Sequence, residues 1–177
     1  ALTTPDNATL QRYLFSLHQQ AFQAVALEAS SHALAQNRLQ NIAIDIAIFT
    51  RLSRDHLDYH NSMDEYFAAK AKLLNNKPQV VIINAACPYA AKLQHKNIIS
   101  YSLGPTSLPY PCAELRNISA HKNGFRAELI SPWGNTTFDC PLLGEFNLEN
   151  CLAMLCALAT QNNSLTAITA AIAKLSA

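Results

Sequence analysis

The chain has 177 residues, half of them hydrophobic, which is enough apolar material for a core of one domain. Charged residues make up 14% and the formal net charge is +1, which excludes a disordered chain and a broad electrostatic nucleic-acid binder. No apolar run reaches the roughly 18 residues of a membrane span. The five cysteines (Cys87, Cys112, Cys140, Cys151, Cys156) lack paired spacing, so reduced thiols in a cytoplasmic protein are expected rather than disulfides or a zinc site.

The chain opens Ala1-Leu2-Thr3-Thr4-Pro5, with neither an initiator Met nor a basic-then-apolar leader, and is read as a piece of a longer protein. Leu10, Leu14 and Leu17 predict a helix over residues 8–20, with Asp6 or Asn7 as its N-cap. Ala24-Val25-Ala26-Leu27 reads as a short buried strand ending in Glu28, and residues 42–50 as a second. Ser62 with Glu65 has capping-box spacing and starts a helix to about Leu74. Val80-Val81-Ile82-Ile83 and Ile98-Ile99-Ser100-Tyr101 are further buried strands, separated by a helical pattern over 86–95. This alternation predicts a mostly parallel sheet flanked by helices.

The style then changes. A loop with Pro105, Pro109 and Pro111 leads into residues 113–142, which alternate, with turns at Lys122-Asn123-Gly124 and Pro132-Trp133-Gly134-Asn135. These predict an antiparallel meander of about three strands. From Glu145 the period is helical again through Leu148, Leu152, Leu155 and Leu158, and a last helix covers about 165–175. The expected division is an α/β core of residues 1–102 and 143–177 with a small antiparallel β portion at 103–142. None of the four glycines precedes a Lys, so no G-x-x-x-x-G-K-[ST] phosphate loop is present.

Several residues are suited to chemistry. His56 and His60 lie four apart beyond a strand, where two imidazoles can share a metal and where open sheets place ligands; a solvated charged loop is the plain alternative. Glu28 at a strand end is placed to reach Mg²⁺, or is an exposed residue beside a capping Ser30. Lys70 has small or apolar neighbours; buried, it becomes a neutral nucleophile, and exposed it is an ordinary helix-surface lysine. Asn147 and Asn150 are three apart at a helix start, where two amides on one face read a base edge or simply face water.

Three stretches in order, Glu28-Ala29-Ser30-Ser31-His32-Ala33-Leu34-Ala35-Gln36-Asn37-Arg38, Phe49-Thr50-Arg51-Leu52-Ser53-Arg54-Asp55-His56-Leu57-Asp58-Tyr59-His60 and Tyr66-Phe67-Ala68-Ala69-Lys70, resemble the central ATPase domain of the Mur ligase family. Leu143-Gly144-Glu145-Phe146-Asn147-Leu148-Glu149-Asn150 resembles that family's Gly-x-Phe-Asn-x-x-Asn segment, and the likeness is nearest to its UDP-N-acetylmuramoyl-tripeptide synthetase branch. It covers essentially the whole chain. It implies an ATP- and Mg²⁺-dependent ligase of peptidoglycan synthesis, joining a diamino acid (meso-diaminopimelate or L-lysine) to UDP-N-acetylmuramoyl-L-alanyl-D-glutamate through an acyl phosphate.

By that resemblance Glu28 holds one Mg²⁺ and His56 a second, with Lys70 carbamylated to support it. Thr3, Thr4, Ser30, Gln36 and Arg38 bind the UDP-muramoyl-dipeptide, and Asn147 and Asn150 read adenine. Arg51 stands where the family usually has Asn. The phosphate loop is expected upstream and the domain that receives the amino acid downstream, so the piece alone is expected to be inactive. The competing expectations are a metal-dependent hydrolase built on His56 and His60, and a binding module without chemistry.

Overall fold

The computed structural model describes residues 3–52 and 59–176, which fall into two compact units: residues 1–45 with 52–78, and residues 46–51 with 79–177. The first unit is helical. Helix α1, Asn7–Gln19, starts at Asp6, whose carboxylate accepts from the Thr9 amide, so Asp6 rather than Asn7 is the cap. Helix α2, Ser31–Ala35, is capped by Ser30, and α3, Met63–Ala71, by Ser62. Glu65 does not return to the Ser62 amide as a capping box would; its carboxylate accepts from the Asn61 amide, one residue earlier. Past Ala71 the helix tightens into a 3₁₀ turn, Lys72–Asn76. The Asn76 amide donates to the Leu39 and Ile42 carbonyls and ties that turn to the segment after α2.

Two expected elements of the chain are corrected. Residues 24–27 form no strand; Val25 is 46% and Leu27 36% exposed. A strand requires a ladder partner for its backbone groups, and none among the described residues pairs with this run. The helix expected over 86–95 is only a 3₁₀ turn, Ala90–Lys92. Pro88 lacks an N–H and turns the residue before it away from the helical region, so no helix runs through it from residue 86, and beyond it only the one turn forms.

The second unit is built on one six-stranded sheet: β1 Ile46–Phe49, β2 Val80–Asn84, β3 Ile98–Ser102, β4 Cys112–His121, β5 Gly124–Ser131 and β6 Gly134–Cys140, in that spatial order. Strands β1 to β4 are parallel neighbours, and β4, β5 and β6 are antiparallel, as the alternating stretch implied. The antiparallel portion continues the parallel sheet, because β4 pairs with β3 from Ser100↔Cys112 onward. The turn into β5 requires Gly124: its φ is +135°, and a Cβ there would lie 2.0 Å from the Cys140 carbonyl oxygen.

Helix α4, Glu145–Thr160, lies on β1, β2 and β3 and buries Leu148, Leu152, Leu155 and Cys156 completely. Helix α5, Leu165–Ile172, packs on α4 and β6. Their apolar faces meet Ile82, Tyr101, Leu115, Leu129 and Phe138 of the sheet in one continuous core. This is the α/β architecture the strand–helix alternation called for. No described helix is long and apolar enough to cross a membrane.

Candidate substrate and nucleotide residues

In the first unit, residues far apart in sequence meet around Thr4, which is 2% exposed. Its hydroxyl donates to the Glu28 carbonyl at 2.7 Å and accepts from the Ser30 amide at 3.2 Å. The Thr4 carbonyl accepts from Arg38 Nη1 at 2.7 Å. Arg38 Nε and Nη2 both donate to Gln36 Oε1, at 3.0 and 2.6 Å. Thr4, Ser30, Gln36 and Arg38 therefore form one connected network, and Thr3 lies exposed beside it.

The local sequence explains why. Ser30 caps α2 by accepting from the Ala33 amide, which turns the chain sharply after Glu28. Gln36 is the C-cap of α2, and Asn37, with φ +55°, directs the chain so that Arg38 returns toward Thr4. The guanidinium is half-buried and spends three of its donors on internal partners.

Lys70 lies in the last turn of α3, one residue before its end, and is half-buried. Its Nζ donates to the Ala29 carbonyl at 3.1 Å, next to Glu28. Burial lowers the lysine pKa below its ordinary value, while the Glu28 carboxylate acts against that by favouring the ammonium. Of the two readings of Lys70, the structure has the partly buried one. Glu28 itself is exposed.

His56 lies outside the described residues. Its sequence partner His60 is 5% exposed and packs in a cluster of rings, stacked on Tyr66 with centroids 5.3 Å apart and edge-on to Tyr59 at 4.9 Å. Among the described residues no group of three His, Cys, Asp or Glu side chains is placed to hold a metal. The oxygen of Glu28 suits a hard cation such as Mg²⁺. A Lys70 amine that is partly desolvated and beside it fits conversion to an anion that supports such an ion.

In the second unit, Asn147 and Asn150 lie in the first two turns of α4. Asn147 donates to the Leu143 carbonyl at 2.8 Å and closes the turn before the helix, while Asn150 is exposed. The carboxyl ends of β1, β2 and β3 and the start of α4 enclose a cleft of about 520 Å³, lined among others by Arg51, Ser102, Thr106, Phe125 and Glu149. This is where open α/β sheets bind ligands.

Glu149 is a residue the sequence reading passed over. Its side chain is 7% exposed and accepts from Arg51, at 2.8 Å from Nη2 and 3.2 Å from Nε. The signal was present. Glu149 is next to Leu148 and three before Leu152, on the buried stripe, and a buried carboxylate requires a cation. Below it, burial and the Glu149 charge hold the Tyr101 phenol above its ordinary pKa.

Comparison with known proteins places the chain among relatives of the same fold. The chain is 44% identical over 161 residues to the UDP-N-acetylmuramoyl-L-alanyl-D-glutamate--2,6-diaminopimelate ligase of Pseudomonas aeruginosa, covering 88% of this chain and 32% of that protein. A solved structure of a ligase of the same name superposes with a TM-score of 0.88 at 33% identity, over 98% of this chain and 37% of that one. The MurF ligase of Thermotoga maritima in complex with ADP shares the fold, with a TM-score of 0.67 at 13% identity over 84% of this chain and 34% of that one. The chain thus spans about a third of the length of the curated relatives it matches. The model of the Mur ligase middle domain matches residues 1–158, and the chain belongs to that family.

Proposed function

We propose that the chain is the middle portion of an ATP-dependent ligase of peptidoglycan synthesis. That ligase joins a diamino acid to the D-glutamate carboxylate of UDP-N-acetylmuramoyl-L-alanyl-D-glutamate by way of an acyl phosphate. The diamino acid is 2,6-diaminopimelate, the one carried in the relatives' names, rather than L-lysine. The proposed site of action is the cytoplasm.

The observation that carries the reading is the Lys70 amine held against the Ala29 carbonyl beside Glu28, in the same unit as the Thr4–Ser30–Arg38 network. Glu28, His56 and a carbamylated Lys70 would hold Mg²⁺. When bound, Mg²⁺ offsets the charge that gathers as a carboxylate and a triphosphate approach each other. Lys70 is prepared for carbamylation because burial favours the neutral amine, whose lone pair takes CO₂. Thr4 and Arg38 set the loop that presents Ser30 and Gln36, and Arg38 supplies positive charge for an anionic part of the UDP-muramoyl-dipeptide. Thr3 adds an exposed hydroxyl to the same surface. Asn147 and Asn150 supply amide groups for adenine.

The test uses the intact ligase that contains this chain. Lys70→Ala is expected to abolish ligation, and acetate at high concentration is expected to restore part of it by standing in for the carbamate. Full activity of Lys70→Ala with no added carboxylate refutes the assignment.

A further inference from the structure

Among the helices of at least eight described residues, α4 differs from the other three at its start. Helices α1, α3 and α5 are each capped by a side chain, from Asp6, Ser62 and Ser164. Helix α4 begins at Gly144, with φ +90° and no side-chain cap. A capping side chain is strained in place of this glycine, because φ +90° is a backbone conformation that L side chains rarely adopt. Nor is the entry fastened by apolar packing, since Leu143 is 62% and Phe146 64% exposed. Burial begins only at Leu148.

The one charged side-chain tie between this end of the helix and the sheet, among the described residues, is Arg51–Glu149. It spans 98 positions and joins the exit of β1 to the second turn of α4. Its two partners are unequal: the Arg51 side chain is 62% exposed, the Glu149 side chain 7%. Arg51 can leave for water at little cost, but Glu149, 7% exposed, would then be a buried carboxylate without its cation unless it turned toward solvent. Turning Glu149 outward rotates its neighbours, since successive residues stand about 100° apart around a helix. Those neighbours include Asn147 and Asn150.

We infer that Arg51 is a positioning residue for the nucleotide, acting through Glu149 to fix the uncapped first turns of α4 and the two amides they carry. This rests on the assignment of Asn147 and Asn150 to adenine under the proposed function. Arg51 need not touch the nucleotide. It anchors a helix start that has no side-chain cap, by an ion pair between side chains rather than by a bond to the first amides.

The experiment measures Mg-ATP affinity by calorimetry, and KM for ATP and for the UDP-muramoyl-dipeptide, in the intact ligase containing this chain. Losing a hydrogen bond to a charged group corresponds to about tenfold in an equilibrium constant. Arg51→Ala is therefore expected to weaken Mg-ATP about tenfold and raise KM for ATP alike, with KM for the muramoyl substrate unchanged within twofold. Arg51→Lys keeps the charge and is expected to recover most of the loss. The double variant Arg51→Ala/Glu149→Gln is expected to bind better than Arg51→Ala alone, because no buried charge is left unpaired. Amide hydrogen exchange should quicken at residues 145–150 and stay slow at 152–158.

Arg126→Ala serves as the control. It breaks an ion pair in which the arginine is as exposed as Arg51 but the partner, Asp139 between β5 and β6, is 41% exposed, and it is expected to leave nucleotide affinity unchanged. Unchanged Mg-ATP affinity in a folded Arg51→Ala, or an equal rise in both KM values, overturns the inference. Failure of the unaltered ligase to bind Mg-ATP overturns the proposed function, and this inference with it.

Discussion

Thr4→Val is the sharpest probe of the network in the first unit. Valine matches threonine in shape, so the substitution removes one hydroxyl and leaves little cavity. That hydroxyl serves two backbone groups at once, the Glu28 carbonyl at 2.7 Å and the Ser30 amide at 3.2 Å. Fully buried, each group left without a partner would cost about 1–3 kcal/mol. Residue 28 is exposed and residue 30 half-buried, so water recovers part of this, and a total loss of about 2 kcal/mol is expected from the low end of that range. Urea unfolding should be followed by far-ultraviolet circular dichroism and by exchange of the Ala33 and Leu34 amides. Fluorescence of the single Trp133 reports on the β5–β6 turn of the other unit. Thr4→Ser keeps the hydroxyl and should lose far less. In the intact ligase Thr4→Val should also raise KM for the muramoyl substrate, because Ser30 and Glu28 are no longer held. A stability loss under about 0.5 kcal/mol, well below one unsatisfied group, would refute the reasoning. So would an equal loss in Thr4→Ser.

Arg38→Ala in the intact ligase should raise KM for the UDP-muramoyl-dipeptide about tenfold, the worth of one charge-assisted contact. Gln11→Ala, on the exposed face of α1, should leave it unchanged, and equal effects from the two would count against the assignment. Of the five thiols, Cys87 and Cys112 are partly exposed and should react with an aromatic disulfide reagent in the native protein. Cys140, Cys151 and Cys156 are buried, so these three should stay unreactive until denaturant is added; burial also pushes the Cys151 thiol up to about 12. Rapid reaction of all five without denaturant would contradict the packing of α4 on the sheet.

The strands of the second unit were legible because their apolar runs are short, continuous and bounded. Val80–Asn84 and Ile98–Ser102 need no partner information to be recognised as strands buried on both faces. The meander was legible from its turns, where Gly124 is required by the Cys140 carbonyl beside it. The start of α3 could be read at Ser62, which was already a cap by spacing. Ala24–Leu27 has the composition of a strand, but composition does not supply the neighbour a ladder needs, and the run stays open. Pro88 was visible in the sequence and bars a helix from residue 86 through it, but that the stretch beyond holds only one 3₁₀ turn was not.

At the site, the sequence by itself determined which residue types are present and their order: a carboxylate before two serines, a lysine among alanines, two amides three apart at a helix start. It could not say that the Thr4 hydroxyl bridges residues 28 and 30, that Arg38 returns to the Thr4 carbonyl, or that Lys70 meets the carbonyl of residue 29. Those contacts span 24 to 41 positions, and they form only when helix caps and left-handed residues such as Asn37 bend the chain back on itself. The same holds for Arg51. As a departure in a motif it was readable, but its partner Glu149 lies 98 positions away. Local spacing fixes which face a residue occupies; only the packing of α4 on the sheet decides that a buried carboxylate and the cation at the end of β1 share one place.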